Sequence, residues 1–205
     1  MLVPEPDLPW DEVPDSLLAL AACDLDDGSS PQPRLMAHRG AEPLAIATLR
    51  PFAPDAVLDP VIELLALLLP LGTDRVAIAL PCRLWPLDAS RPVVGDADEI
   101  DLRQRGVVVA TADGRGGSCE VQAAVHPFTL DDVGEWGWEP PVGSDDDPEA
   151  RLLDALRVLL DRREELATDP SELRPQLERV LLLGHGLALS SGAAAELGVA
   201  SPAWN

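Results

Sequence analysis

Short apolar runs separated by turn residues predict four β-strands. Pro43–Phe52 and Arg75–Pro81 carry apolar side chains on both faces, which is typical of strands inside a covered sheet. Alternation places Leu44 and Ile46 on one face of the first strand, and it places Val76, Ile78 and Leu80 on the face of the second strand opposite Ala77 and Ala79. Gly106–Ala112 and Cys119–Phe128 are joined by the glycine-rich segment DGRGGS, which indicates a hairpin loop. The alternating positions therefore predict a sheet whose central strands are buried on both sides.

Leucines at helical spacing predict three helices around this sheet. Val61–Leu69 follows Asp59 and Pro60 and is apolar nearly all round, so we expect it to be deeply buried. Two amphipathic helices follow near the C-terminus, one capped by Asp147 and one starting near Asp169.

A strand, a helix and a strand joined by short links favour a parallel crossover. We therefore expect an α+β protein, with a mixed α/β arrangement as the alternative. The expected core is a four- or five-stranded mixed sheet with one buried crossover helix and two C-terminal helices.

The domain boundary is expected near residue 34. Residues 1–34 are rich in proline and acid and form an N-terminal arm, in which Asp15–Cys23 predicts a short helix. Residues 35–205 are expected to form a single α+β domain. The leucines of the arm favour packing on the same chain, and docking on a second subunit is the alternative.

The charge of the chain narrows the classes of partner. The formal net charge is −21, from 36 acidic residues and 15 basic residues, all of them arginine. Absence of lysine is typical of a GC-rich coding sequence. So negative a surface repels nucleic acids and anionic membranes and favours a basic protein or peptide.

The sequence also predicts a soluble, cytoplasmic protein. The longest apolar run, 61–72, is too short to span a bilayer and contains Glu63 and Pro70. The first residues are acidic and do not resemble a secretory signal. Three widely spaced cysteines indicate reduced thiols.

Catalytic signals are sparse. The three histidines are far apart and show no zinc-site spacing. The best constellation is HPFTLDD, in which His126 precedes Asp131 and Asp132 and could orient a water or hold a divalent metal. A histidine that is merely hydrogen-bonded or exposed is the alternative. We predict no cofactor and no definite metal site.

The segment EWGWE is the other candidate site. Trp136 and Trp138 point to the same face of an extended segment, and Glu135 and Glu139 flank them. Together they could bind an arginine- or lysine-bearing peptide through cation–π contacts and charge. In the favoured interpretation, at least one indole instead packs the connection onto the core.

These features favour a non-enzymatic interaction or regulatory protein with a basic partner, and they also allow this protein to form a homo-oligomer. The alternative is a metal-assisted, hydrolase-like enzyme that uses His126 with Asp131 or Asp132.

Overall fold

A computed structural model describes residues 8–53, 56–84, 104–130, 135–142, 150–166 and 170–199. The helices are α1 (Val13–Asp26), α2 (Leu58–Leu68), α3 (Ala150–Asp161), α4 (Pro170–Leu182) and α5 (Ser191–Glu196). The strands are β1 (Arg34–Arg39), β2 (Glu42–Thr48), β3 (Arg75–Leu84), β4 (Gln104–Asp113), β5 (Glu120–Leu130), β6 (Trp136–Trp138) and β7 (Gly186–Leu189).

The described strands form one seven-stranded sheet in the order β6-β5-β4-β3-β1-β2-β7. Every neighbouring pair is antiparallel. The α+β class is therefore confirmed, whereas the expected four- or five-stranded mixed sheet is wrong.

The mixed sheet was wrong because β1 lies between β2 and β3. Both strands pair antiparallel with β1, so they run in the same direction, but they are not neighbours. Helix α2 crosses over β1 to join them. A tight turn at Gly40, whose φ of +57° suits glycine, brings β2 back along β1.

The strand count was wrong because three strands carry weak local signals. Strand β1 has the sequence RLMAHR, whose charged ends resemble the polar arm before it. Strands β6 and β7 have only three and four residues and contain glycine. Such segments become strands through their pairing partners.

Four of the described helices cover one face of the sheet. Leucines of α2, α3 and α4 and alanines of α5 pack there against Val76, Ile78 and Leu80 of β3. Helix α2 begins at Leu58, slightly before the expected start, and continues into a short 3-10 turn that ends at Gly72. The predicted orientation of these three β3 side chains is confirmed.

Helix α1 packs on the other face, which we call the α1 face. Val13, Leu17 and Ala21 pack in one buried cluster with the small side chains Ala77 and Ala79 of β3. These alanines let the helix approach the strand closely. The helix expected within the N-terminal arm thus lies on the sheet of its own chain.

A β-bulge changes the faces of β2. The register shifts between Ala37 and His38 of β1. Leu44 consequently packs in the four-helix core, while Ile46 packs on the α1 face. The expectation that Leu44 and Ile46 share one face is wrong, because strict alternation does not hold across a bulge.

In the described part of the chain, no helix is both long and apolar enough to cross a membrane.

His38 is a buried polar group on the α1 face. It is fully buried, and neither ring nitrogen has a hydrogen-bond partner among the described residues. Its ring meets Trp10 edge-on with centroids 5.3 Å apart, and the Arg75 guanidinium lies 4.7 Å from the centre of the same indole. Burial, reinforced by Arg75, lowers the pKa of His38 from 6.5 to about 4.

The first prediction concerns acid stability. Between pH 6.5 and pH 4 the unfolded chain binds a proton at His38 that the folded chain does not bind, so the free energy of unfolding falls as the pH falls. The shift corresponds to roughly 3 kcal/mol across this window. Urea unfolding of the wild type and His38→Phe at several pH values measures it.

The difference in the free energy of unfolding between the wild type and His38→Phe reports the titration of His38, because the carboxylates are the same in both proteins. Glu63, whose pKa is about 2, contributes stability that is lost as the pH falls below 4.5, but it does so in both proteins alike and cancels in their difference. Equal pH slopes between pH 6.5 and pH 4 for the wild type and His38→Phe would show that His38 does not titrate as described.

Candidate functional site

A groove lies on the α1 face beside α1. Its volume is about 460 Å³, and its lining is mainly apolar. Leu20 and Cys23 of α1 form one wall, and Ile46 of β2 and Ala188 of β7 contribute to the floor. This volume falls within the range of protein ligand sites.

Three aspartates surround the end of the groove where α1 stops: Asp24, Asp26 and Asp27. The last turn of α1 contains no basic residue. Carboxylates at a helix C-terminus face the negative end of the helix dipole, which costs about 0.3–1 kcal/mol for each exposed group. This end of the groove therefore concentrates negative potential and attracts cations.

Arg34 neutralises one of the three aspartates. Its guanidinium donates two hydrogen bonds to the Asp24 carboxylate, at 2.6 Å and 2.7 Å, and both side chains are mostly buried. Asp26 and Asp27 are exposed, and neither forms an ion pair with a described residue. A cation of a partner would find these two carboxylates accessible.

The other flank of α1 carries the tryptophan pair. Trp136 and Trp138 share one face of β6 with ring centroids 5.4 Å apart, and Phe128 meets Trp138 edge-on at 5.8 Å. The Trp136 indole N–H donates to Asp26 Oδ1 at 2.9 Å. Trp136 thus holds the end of α1 against β6, while Trp138 stays 37% exposed.

The two glutamates of EWGWE differ in exposure. Glu135 is exposed just before β6, and Glu139 is half-buried just after it. The backbone N–H of Glu139 donates to the Pro127 carbonyl at 2.9 Å. Both glutamates have further interactions within the protein, so a role in binding stays a prediction.

His126 lies on β5, half-buried on the α1 face. Its ring meets Trp138 edge-on with centroids 6.5 Å apart. Burial lowers its pKa, and the charge of Asp15 on α1 partly opposes that shift. Among the described residues, no carboxylate is hydrogen-bonded to His126, whereas Asp131 and Asp132 lie outside them. The hydrolase hypothesis stays a prediction.

His185 belongs to a separate ion-pair cluster beside α2. Its Nε2 lies 2.9 Å from Glu63 Oε2, and its Nδ1 accepts from the Arg50 backbone N–H at 3.3 Å. The Arg50 guanidinium holds Glu63 through two bonds of 2.7 Å and 2.8 Å and lowers the pKa of that carboxyl to about 2.

Both ring nitrogens of His185 are therefore engaged, and the cluster joins the end of β2, α2 and the start of β7. Ser190, at the other end of β7, accepts from the Ala193 N–H and caps α5. His185 and Ser190 are thus held by separate partners.

Among the described residues, no three histidine, cysteine or acidic side chains are arranged to hold a metal ion.

Asp24, Asp26 and Asp27 were not among the predicted site residues, because they lie beyond the short helix predicted over Asp15–Cys23. The detectable signal was a run of aspartates directly after an apolar helical stretch, where the helix dipole favours basic residues. The groove itself had no signal in the sequence, because β2 and β7 meet only in the folded sheet.

The second prediction tests Trp136 as the anchor of α1. Trp136→Phe removes its bond to Asp26 and should lower the free energy of unfolding by about 1 kcal/mol. It should also speed hydrogen exchange in the last turn of α1. The matched control Trp138→Phe removes no hydrogen bond within the described structure and should cost less. Equal losses in both variants would contradict this role.

The chain matches no protein-family model, and neither the curated proteins nor the solved structures contain a significantly similar one.

Proposed function

We propose that this protein is a non-enzymatic interaction protein that binds a basic segment of a partner protein in the groove beside α1. One observation carries the proposal: a mainly apolar groove ends at Asp26 and Asp27, two exposed carboxylates at the negative end of a helix. An arginine or lysine of the partner would meet these carboxylates, while its apolar neighbours would enter the groove.

The charge of the whole chain supports this proposal. A net charge of −21 attracts a basic partner over long distances and accelerates its association at low salt. The same charge opposes contact between two copies unless arginines lie in the interface. A homo-oligomer therefore stays a separate prediction.

The charges at the acidic end of the groove do not favour the stability of α1. Asp26 and Asp27 lie where the helix dipole favours positive charge. Asparagine at both positions removes that unfavourable charge and keeps an acceptor for the Trp136 N–H, so the fold should stay about equally stable. Residues that reduce stability but improve recognition are a familiar feature of binding sites.

The third prediction is that the two aspartates affect binding more than stability. Asp26→Asn with Asp27→Asn should weaken binding of a synthetic arginine- and leucine-containing peptide about fivefold to tenfold, because each exposed ion pair contributes up to about 1 kcal/mol. The asparagine at 26 can still accept the Trp136 N–H. The dissociation constant is measured by fluorescence anisotropy at low and at physiological salt, and stability by urea unfolding.

A matched control removes the same charge from the opposite side of the protein. Glu164→Gln with Glu172→Gln changes two exposed acids near α4 and should alter the affinity by less than about twofold at physiological salt, where distant charges are screened. If both double variants weaken binding equally, the effect is one of net charge and the groove is not the site.

A further inference from the structure

The geometry points to an amphipathic helix as the element that occupies the groove. It would lie beside α1 on the part of the α1 face formed by β1, β2 and β7, with its apolar side on the sheet. This inference rests on the proposed function and specifies the form of the partner segment.

The coverage of the two faces is unequal. Among the described elements, α2, α3, α4 and α5 pack on one face of the sheet, whereas α1 with its preceding turn is the helix packed on the other. Ile46 and Thr48 of β2 and Ala188 of β7 are consequently only half-buried on the α1 face. A second helix would extend the layer that α1 begins.

The wall of the groove has the spacing that a neighbouring helix requires. Leu20 and Cys23 of α1 and the C-cap residue Asp27 line it at positions i, i+3 and i+7, which lie on one side of a helix. Helices pack side by side at about 8–10 Å through such rows. With 14 residues, α1 could support a partner helix of about 21 Å along its length.

The floor leaves room for such a helix. Thr48 stands opposite Gly186 and Ile46 opposite Ala188 across the β2–β7 pair, so β7 contributes glycine and alanine to this part of the floor. A Cβ atom at Gly186 would stand in van der Waals contact with Thr48 Cβ, at 3.4 Å, so a side chain there would raise the floor beside Thr48. Small residues at such positions allow a helix backbone to approach closely.

The charge and the apolar floor of the groove determine the composition of the partner helix. Asp26 and Asp27 at one end of the groove require a cation on the partner, and the apolar floor requires aliphatic residues at helical spacing. The expected partner segment is therefore an amphipathic helix with leucine-like residues on one side and arginine or lysine near one end.

The test compares two synthetic peptides of identical composition, each about as long as α1. In the first, leucines recur at helical spacing and arginines occupy one end; in the second, the same residues alternate in the order typical of a strand. Affinity for the full chain is measured by fluorescence anisotropy. The bound conformation is read from the ¹³Cα chemical shifts of the labelled peptide.

The cysteines of the chain report where the peptide binds. Cys23 lines the groove, and Cys82 lies on β3, so alkylation of each thiol by a bulky maleimide can be followed by mass spectrometry on the wild type. The helical peptide should bind at least about tenfold more tightly than its isomer, show helical shifts, and slow alkylation of Cys23 at least about tenfold while sparing Cys82.

A pair of variants gives an independent readout. Cys23→Trp should fill the groove and abolish binding of the helical peptide, while Ala19→Trp, exposed on the same helix and outside the groove, should not.

The outcomes separate this inference from the proposed function. If both peptides bind equally well and protect Cys23, or if the bound peptide shows extended-strand shifts, the inference that the bound segment is helical is wrong. The proposed binding of a basic segment in the groove then still stands. Tight binding without protection of Cys23 overturns the site. Failure of both peptides to bind overturns the inference and the proposed function together.

Discussion

The packing of α1 on the alanine-lined stripe of β3 is the contact on which the rest of the α1 face depends. Ala77 and Ala79 set how closely the helix approaches, and Leu17 and Ala21 are fully or almost fully buried against that surface. Because the helix lies near the middle strands of a seven-stranded sheet, part of the α1 face extends on one side of it toward β7 and on the other side toward β6. The groove and the tryptophan pair occupy these two sides.

The two ends of α1 are fixed by different chemistry. At the N-terminal end, Trp10 contacts both His38 and Arg75. At the C-terminal end, Arg34 pairs with Asp24, and Trp136 bonds to Asp26. The contacts at the N-terminal end weaken in acid, because His38 is buried without a hydrogen-bond partner among the described residues and must take up a proton there. The contacts at the C-terminal end leave Asp27 accessible and hold the acidic end of the groove in place.

The sequence allowed part of the fold to be predicted, where local patterns decide the outcome. Alternation in β3 placed Val76 and Ala77 on the correct opposite faces, and DGRGGS was correctly interpreted as the link of a hairpin. The position of β1 between β2 and β3 could not be predicted, because it depends on which distant segments pair. The bulge beside His38, which separates Leu44 from Ile46, was undetectable for the same reason.

The candidate site was less predictable than the fold. The common face of Trp136 and Trp138 followed from strand geometry, but the bond from Trp136 to Asp26 joins segments 110 residues apart. The aspartates at the end of α1 were visible as charges. Their role at the end of a groove became evident only once β7 was paired with β2.

Isoleucine methyl spectra of the full chain test the central claim, that a basic segment binds beside α1, most directly. Ile46 lies on the floor of the groove, and Ile62 is an exposed isoleucine of α2, which packs on the opposite face. Addition of an arginine- and leucine-containing peptide should shift the Ile46 methyl signal and leave that of Ile62 unchanged. A shift at Ile62 with none at Ile46, or no shift at either, would contradict the account.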